Sequence, residues 1–259
     1  MLKILKNLKE SILLVIAIII LLCVQATADL NLPDFTSKIV NTGIQQGGIE
    51  YAVPEAIREE QLENLMYFTD EDEKIQSNYE LMEKTEENLD EYPELQNQNI
   101  YKLKDISNEE KENLEQFMAK PLMILYQINN EENANSIKEK MLENIDSSSP
   151  EYIAMSQMSI IDIIKSMPEN RLDTMLAELD NQLSSVEMSD SMIEQGAIQE
   201  IKTEYQDIGM DLEKIQNDYI LIVGLQMAGV ALISMLSAVT IMFLSSRVAA
   251  KLGKTLREK

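Results

Sequence analysis

Two uninterrupted apolar runs stand out from an otherwise mixed chain. Ile12 to Ala28 reads ILLVIAIIILLCVQATA, 17 residues, and Ile220 to Leu244 reads ILIVGLQMAGVALISMLSAVTIMFL, 25 residues without a charge. A helix needs about 20 apolar residues to cross a hydrocarbon core of roughly 30 Å, so the second run predicts a transmembrane helix and the first a short one. Between them the periodicity is helical. Ser107 with Glu110 has capping-box spacing, and Leu114, Phe117, Met118, Leu122 and Leu125 follow on one face. Pro121 is expected to kink or divide that helix. Thr69 with Asp72 has the same capping spacing, and Pro54 suits the first position of a helix holding Glu55, Ala56, Ile57 and Glu59. Ser149-Pro150 opens another with Ile153, Met158, Ile161 and Ile164, and Pro168 the next, with Leu172, Leu176, Leu179 and Leu183. No run alternates as strands do.

The last stretch before the second apolar run carries a more specific pattern. Ile198, Ile201, Tyr205, Ile208, Leu212, Ile215, Tyr219 and Ile222 recur at steps of three and four, a heptad seam that predicts one continuous rod entering the span. Gly209 interrupts it at a cost of about 1 kcal/mol relative to alanine. Within the span, Gly224, Ala228, Ala231 and Ala238 fall near one stripe, with Ser234 and Ser237 beside it. Small residues on one face let helices approach closely in lipid, so the stripe predicts helix packing. Gln226 is polar and is a candidate to face a pathway or to bond a neighbouring helix. Met155, Met158, Met167, Met175, Met188 and Met192 read as core filling or as an adaptable surface.

Charge orients the spans. Lys3, Lys6 and Lys9 precede the first; Arg247, Lys251, Lys254, Arg257 and Lys259 follow the second; Asp29 to Asp218 holds 14 basic and 43 acidic residues. Lysine and arginine concentrate on the cytoplasmic side of membrane spans, so both ends are expected inside and residues 29–218 outside. A basic start, an apolar run and Ala26-Thr27-Ala28 also describe a cleavable secretory signal.

Composition removes several chemistries. There is no histidine, which excludes a histidine-bearing zinc site or catalytic triad, and Cys23 has no second cysteine with which to form a disulfide. A net charge of −23 and the absence of tryptophan argue against nucleic acid. The run Asp70-Glu71-Asp72-Glu73 lacks the glycine and alternating ligands of a calcium loop, so no metal is assigned.

The two ends together resemble a known family. Val24-Gln25-Ala26, Asp29-Leu30-Asn31-Leu32-Pro33 and Ile39-Val40-Asn41-Thr42-Gly43-Ile44 with Gly47-Gly48 are similar to the first transmembrane helix of bacterial ABC exporters of the multidrug type, where Q-A-x-x-D-L-x-L-P precedes I-V-N-x-G-I. Ser246-Arg247-Val248-Ala249-Ala250-Lys251-Leu252-Gly253-Lys254-Thr255-Leu256-Arg257 resembles the cytoplasmic extension of the second helix. Members with a large loop between these helices also carry stretches like Glu204-Tyr205 through Gly209, Ile215-Gln216 and Tyr219-Ile220. The match covers about residues 1 to 60 and 195 to 259. It implies that helix one is retained rather than cleaved. Helices three to six and the ATP-binding domain that the family implies are absent, and Gly253-Lys254-Thr255 lacks the first glycine of a Walker A loop, Val248 standing there.

The resulting expectation is an all-α membrane protein: a two-helix transmembrane hairpin, N-in and C-in, with a helical extracellular domain. Its parts are a cytoplasmic 1–10, helix one with its extension at 11–45, an acidic insertion at 46–196, and a long helix at 197–259 that includes span 220–244. The resemblance implies part of an ABC exporter permease in the cell membrane, a truncated or separately completed piece. Its partners are the bilayer, the remaining helices, nucleotide-binding domains and a second half-transporter, with ATP and magnesium bound only by the missing domain. The rival readings are the input region of a chemoreceptor or sensor kinase, and a C-terminally anchored adhesion or scaffold protein.

Overall fold

The computed structural model describes residues 12–142, 149–167 and 190–257. The predicted helix from Pro168 with its leucines, the basic residues before Glu10, and Met175 and Met188 lie outside the described residues. The chain is predominantly helical and divides into two units, Met1–Gly48 with Gln216–Lys259, and Ile49–Ile215.

The first unit holds the two apolar runs. Helix α1 spans Ile12–Lys38 with Pro33 inside it, and continues as a π-helical segment, Ile39–Gln45. Gly47 and Gly48 end it at φ 68° and 86°, a left-handed backbone that glycine adopts without steric penalty. The second run lies in the last helix, α10, which starts at Leu212 and extends to Arg257. Both helices are long and apolar enough to cross a membrane.

The central unit departs from the all-α expectation. Besides helices it contains a three-stranded antiparallel sheet ordered β1-β3-β2, formed by Ala56–Arg58, Tyr79–Leu81 and Ile100–Leu103. Strands of three or four residues are too short to show alternation, and that is why the pattern concealed them. The helix expected from Pro54 accordingly begins only at Glu59 (α2, Glu59–Met66). Ala56, Ile57 and Arg58 instead pair with Lys102, Tyr101 and Ile100. Tertiary donors and acceptors decide this: the Glu55 N–H donates to the Tyr205 hydroxyl and the Arg58 N–H to the Glu204 carboxylate, each at 2.7 Å.

Three short elements follow: α3 (Asp72–Ser77), α4 (Glu86–Glu91) and a 3₁₀ turn at Pro93–Gln96. Thr69 accepts from Glu71 N in a local turn rather than capping at Asp72. Helix α5 (Asn108–Asn129) opens with the predicted box: Ser107 Oγ accepts from Glu110 N and Glu110 Oε2 from Ser107 N. Pro121 does not divide α5. The proline is buried with Leu122 and Leu125, so packing on both sides of it holds the helix together despite the missing N–H. Helix α6 covers Glu131–Leu142. The single helix expected after Pro150 is two, α7 (Pro150–Gln157) and α8 (Ile160–Ser166), because Ser159 caps a second start through Asp162 N.

Helix α9 (Asp190–Asp207) packs along α5. Gly196 permits the approach, since a Cβ there would collide with Met123 Sδ. Ile198, Ile201, Tyr205 and Ile208 are buried in the core with Ile57, Leu65 and Ile100. The predicted rod, however, is broken. Gly209 adopts φ 82°, its N–H donates to Gln206 O, and the Met210 N–H donates back to Tyr205 O. These two bonds form a Schellman stop, after which Asp211 Oδ1 accepts from Lys214 N and starts α10. The seam residues Leu212 and Ile215 are half-buried against the core from this second helix. Gly209→Ala should lower stability by about 1–2 kcal/mol, since it forces a left-handed alanine whose Cβ meets the Pro93 ring at 3.0 Å. Denaturant unfolding checks this, and an unchanged midpoint would refute it.

Candidate functional site

The helix pair comes first. Gln216 Nε2 donates to Gly43 O at 2.9 Å, and Ser234 Oγ donates to Asp29 Oδ1. Position 43 lies opposite 216 and position 29 opposite 234, so the two helices run antiparallel. A Cβ on Gly43 would stand 2.8 Å from Ile220 Cγ1, so the close approach requires glycine. Both segments of the resemblance thus meet here: the glycine of I-V-N-x-G-I touches Gln216, Tyr219 and Ile220.

Asp29, just past the first apolar run, bonds Ser234, near the middle of the run Ile220–Leu244. The two apolar runs are therefore staggered along each other. Outward from the pair the surface is apolar and uncovered, with Leu13 80% and Met242 72% exposed. Of the predicted stripe, Ala228 and Ala231 are exposed, Gly224 and Ala238 half-buried, and a Cβ at Gly224 would meet nothing within 4 Å. Val223, Ser234 and Ser237 are the buried positions instead. Gln226 is exposed, and Tyr219 is half-buried beside Gly43.

A second site lies in the central unit; of its residues only Glu204 and Asp207 fall in a stretch singled out from sequence, the exporter-like Glu204 to Gly209. Residues 200, 204 and 207 share one face of α9 by helical spacing, which places Glu200, Glu204 and Asp207 in a row. Arg58, at the end of β1, closes on the latter two. Its Nε donates to both Glu204 oxygens at 3.0 Å, and its Nη2 to Glu204 Oε2 and Asp207 Oδ2 at 2.7 Å. The bonded Glu204 raises the guanidinium above its ordinary pKa.

Glu200, 2% exposed, is held differently. Gln61 Nε2 and Asn129 Nδ2 both donate to its Oε1, at 2.6 and 2.7 Å. Burial, the largest effect, pushes its carboxyl from an ordinary 4.5 up to about 7, against the opposing Asn129 bond. Asn64 Nδ2 donates in turn to Gln61 Oε1 at 3.3 Å, so the two amides relay toward Glu200. The relay leaves an acceptor over: Asn64 is 4% exposed and its Oδ1 has no partner. Together these groups line a cavity of about 370 Å³. Among 43 acids, Glu200 and Glu204 look like solvated charges; only their place beside the apolar seam hinted otherwise.

No protein family, no curated protein and no solved structure matches the chain in comparisons with known proteins.

Two measurements check these sites. With Cys23→Ala as background, Asp29→Cys combined with Ser234→Cys should cross-link under mild oxidation, whereas Asp29→Cys with Leu225→Cys should not; equal yields would contradict the pairing. For Glu200, the folded carboxyl holds its proton to a higher pH than the unfolded one. Its contribution to stability is therefore complete below the ordinary value near 4.5 and is lost as pH rises through about 7. Relative to Glu200→Gln, the native chain should lose up to roughly 3 kcal/mol between about pH 5 and pH 8. Parallel unfolding curves for the two would refute this.

Proposed function

We propose that the chain supplies the first two transmembrane helices of an ATP-driven exporter of the ABC type, with the central unit as an extracellular insertion between them. The observation that carries this reading is the contact at Gly43. The exporter-like stretch Ile39–Ile44 and the exporter-like stretch Ile215–Ile220 lie far apart in sequence, and their motif residues touch, with packing that explains the glycine. The uncovered apolar faces of both helices support it further, because helices in lipid associate through packing and interhelical hydrogen bonds. In this reading the hairpin has both ends in the cytoplasm, lines or supports the export pathway, and works with the further helices and nucleotide-binding domains that such an exporter needs.

Two tests address it. Single cysteines replacing Ser37, Ser148 or Ser246 in the Cys23→Ala background, probed from outside intact cells, should react at 148 and not at 246. The reverse pattern would overturn the topology. The purified chain should show no ATP hydrolysis and no nucleotide affinity, having no complete phosphate-cradling loop, and ATP-dependent transport should appear only on co-expression with the remaining domains. Saturable ATP binding by the homogeneous chain alone would contradict the reading.

A further inference from the structure

We propose that the cavity between α2, α5, α8 and α9 binds a small organic cation through an ammonium or guanidinium group. The inference concerns the central unit alone and stands or falls independently of the exporter reading.

The lining carries an excess of negative charge. Five carboxylates, Glu60, Asp162, Glu200, Glu204 and Asp207, face two cations, Arg58 and Lys165. Those cations are already engaged: Arg58 is clamped between Glu204 and Asp207, and Lys165 lies over the Tyr67 ring at 5.5 Å from its centre. An anionic ligand would thus meet five carboxylates against two cations and find the field against it.

The acceptors have the opposite status. Asn64 Oδ1 is buried at the end of the amide relay with no donor, a condition rare in folded proteins because it costs a hydrogen bond's worth of desolvation. Both donors to Glu200 converge on Oε1, and among the described residues no bond reaches its Oε2. A ligand bearing several N–H groups on a positive centre brings the donors and the charge that this lining lacks. A metal ion does not fit as well, since no three of the acidic side chains converge as ligands among the described residues. The cavity's 370 Å³ falls at the small-molecule end of ligand pockets.

Binding is coupled to a proton. Glu200 is faced by Gln61 from α2, Asn129 from α5, Glu204 and Asp207 from its own helix, and Arg58 from β1. A cation placed beside it favours the carboxylate, so binding near neutral pH releases a proton from Glu200.

Isothermal titration of the full chain in detergent tests this. Spermidine and agmatine probe a free amine as the source, a blocked peptide with one lysine or arginine probes a basic side chain, and magnesium chloride at matched ionic strength is the control. At least one organic probe should bind saturably at one per chain, with a buffer-dependent heat that reports proton release near pH 7. Glu200→Gln, which keeps the shape and the Oε1 acceptor, should abolish the proton release and weaken binding at least tenfold. Asn64→Leu should also weaken it, whereas Glu80→Gln on the exposed face of β2 should not. Absence of saturable binding for every organic probe overturns the proposal. So does equal binding of magnesium, or an equal loss in Glu80→Gln, since either would reduce the effect to bulk charge.

Discussion

The bond between Arg58 and Glu204 closes the central unit. One carboxylate, 3% exposed, takes the Arg58 backbone N–H and two guanidinium nitrogens, joining β1 to α9 across 146 residues. Desolvating two charges is costly, and the pair is sustained because further hydrogen bonds meet the remaining lone pairs and protons. Asp207 adds one such bond from the exposed side. Removing Arg58 would strand the buried Glu204 carboxylate at a cost of about 3–5 kcal/mol. Much else follows from that closure: β1 is extended because its end is tied to α9, and Gln61 and Asn64, one turn further on α2, are brought against Glu200.

The two units expose different kinds of side chain. The central unit hides Ile57, Leu65, Leu125 and Ile201, and of its acids it buries Glu200 and Glu204, each held by hydrogen bonds. The helix pair does the reverse, with large apolar side chains outward and an Asp29–Ser234 bond between the helices. Close backbone approach at Gly43 and these polar bonds hold the pair together, the kind of contact that associates helices in lipid, where the hydrophobic drive between them is small. The stripe of alanines that faces away from the partner helix remains available to other helices.

Glycine and aspartate explain the failure of the heptad seam as a rod. The apolar spacing persists from Ile198 to Tyr219, and by itself it describes one helix. Gly209 is a left-handed stop and Asp211, only two residues on, a fresh cap. The physical reason is that side-chain periodicity survives a short turn whenever both helices pack on the same core, as Ile208 and Leu212 do.

What the sequence by itself determined was local. Two long apolar helices, the acidic stretch between them, the Ser107–Glu110 box and the Ser149-Pro150 start each depend on residues a few positions apart, and each was readable from spacing alone. What only the tertiary structure decided was non-local. The strands of three and four residues exist because distant backbones pair, Pro121 stays inside α5 because its neighbours are packed, and Asp29 meets the middle of the second apolar run because two helices are staggered. The polar cavity belongs to the same class: Glu200, Gln61 and Asn129 acquire their properties from burial beside one another, and residues 71 to 139 positions apart carry no mark of that in the chain.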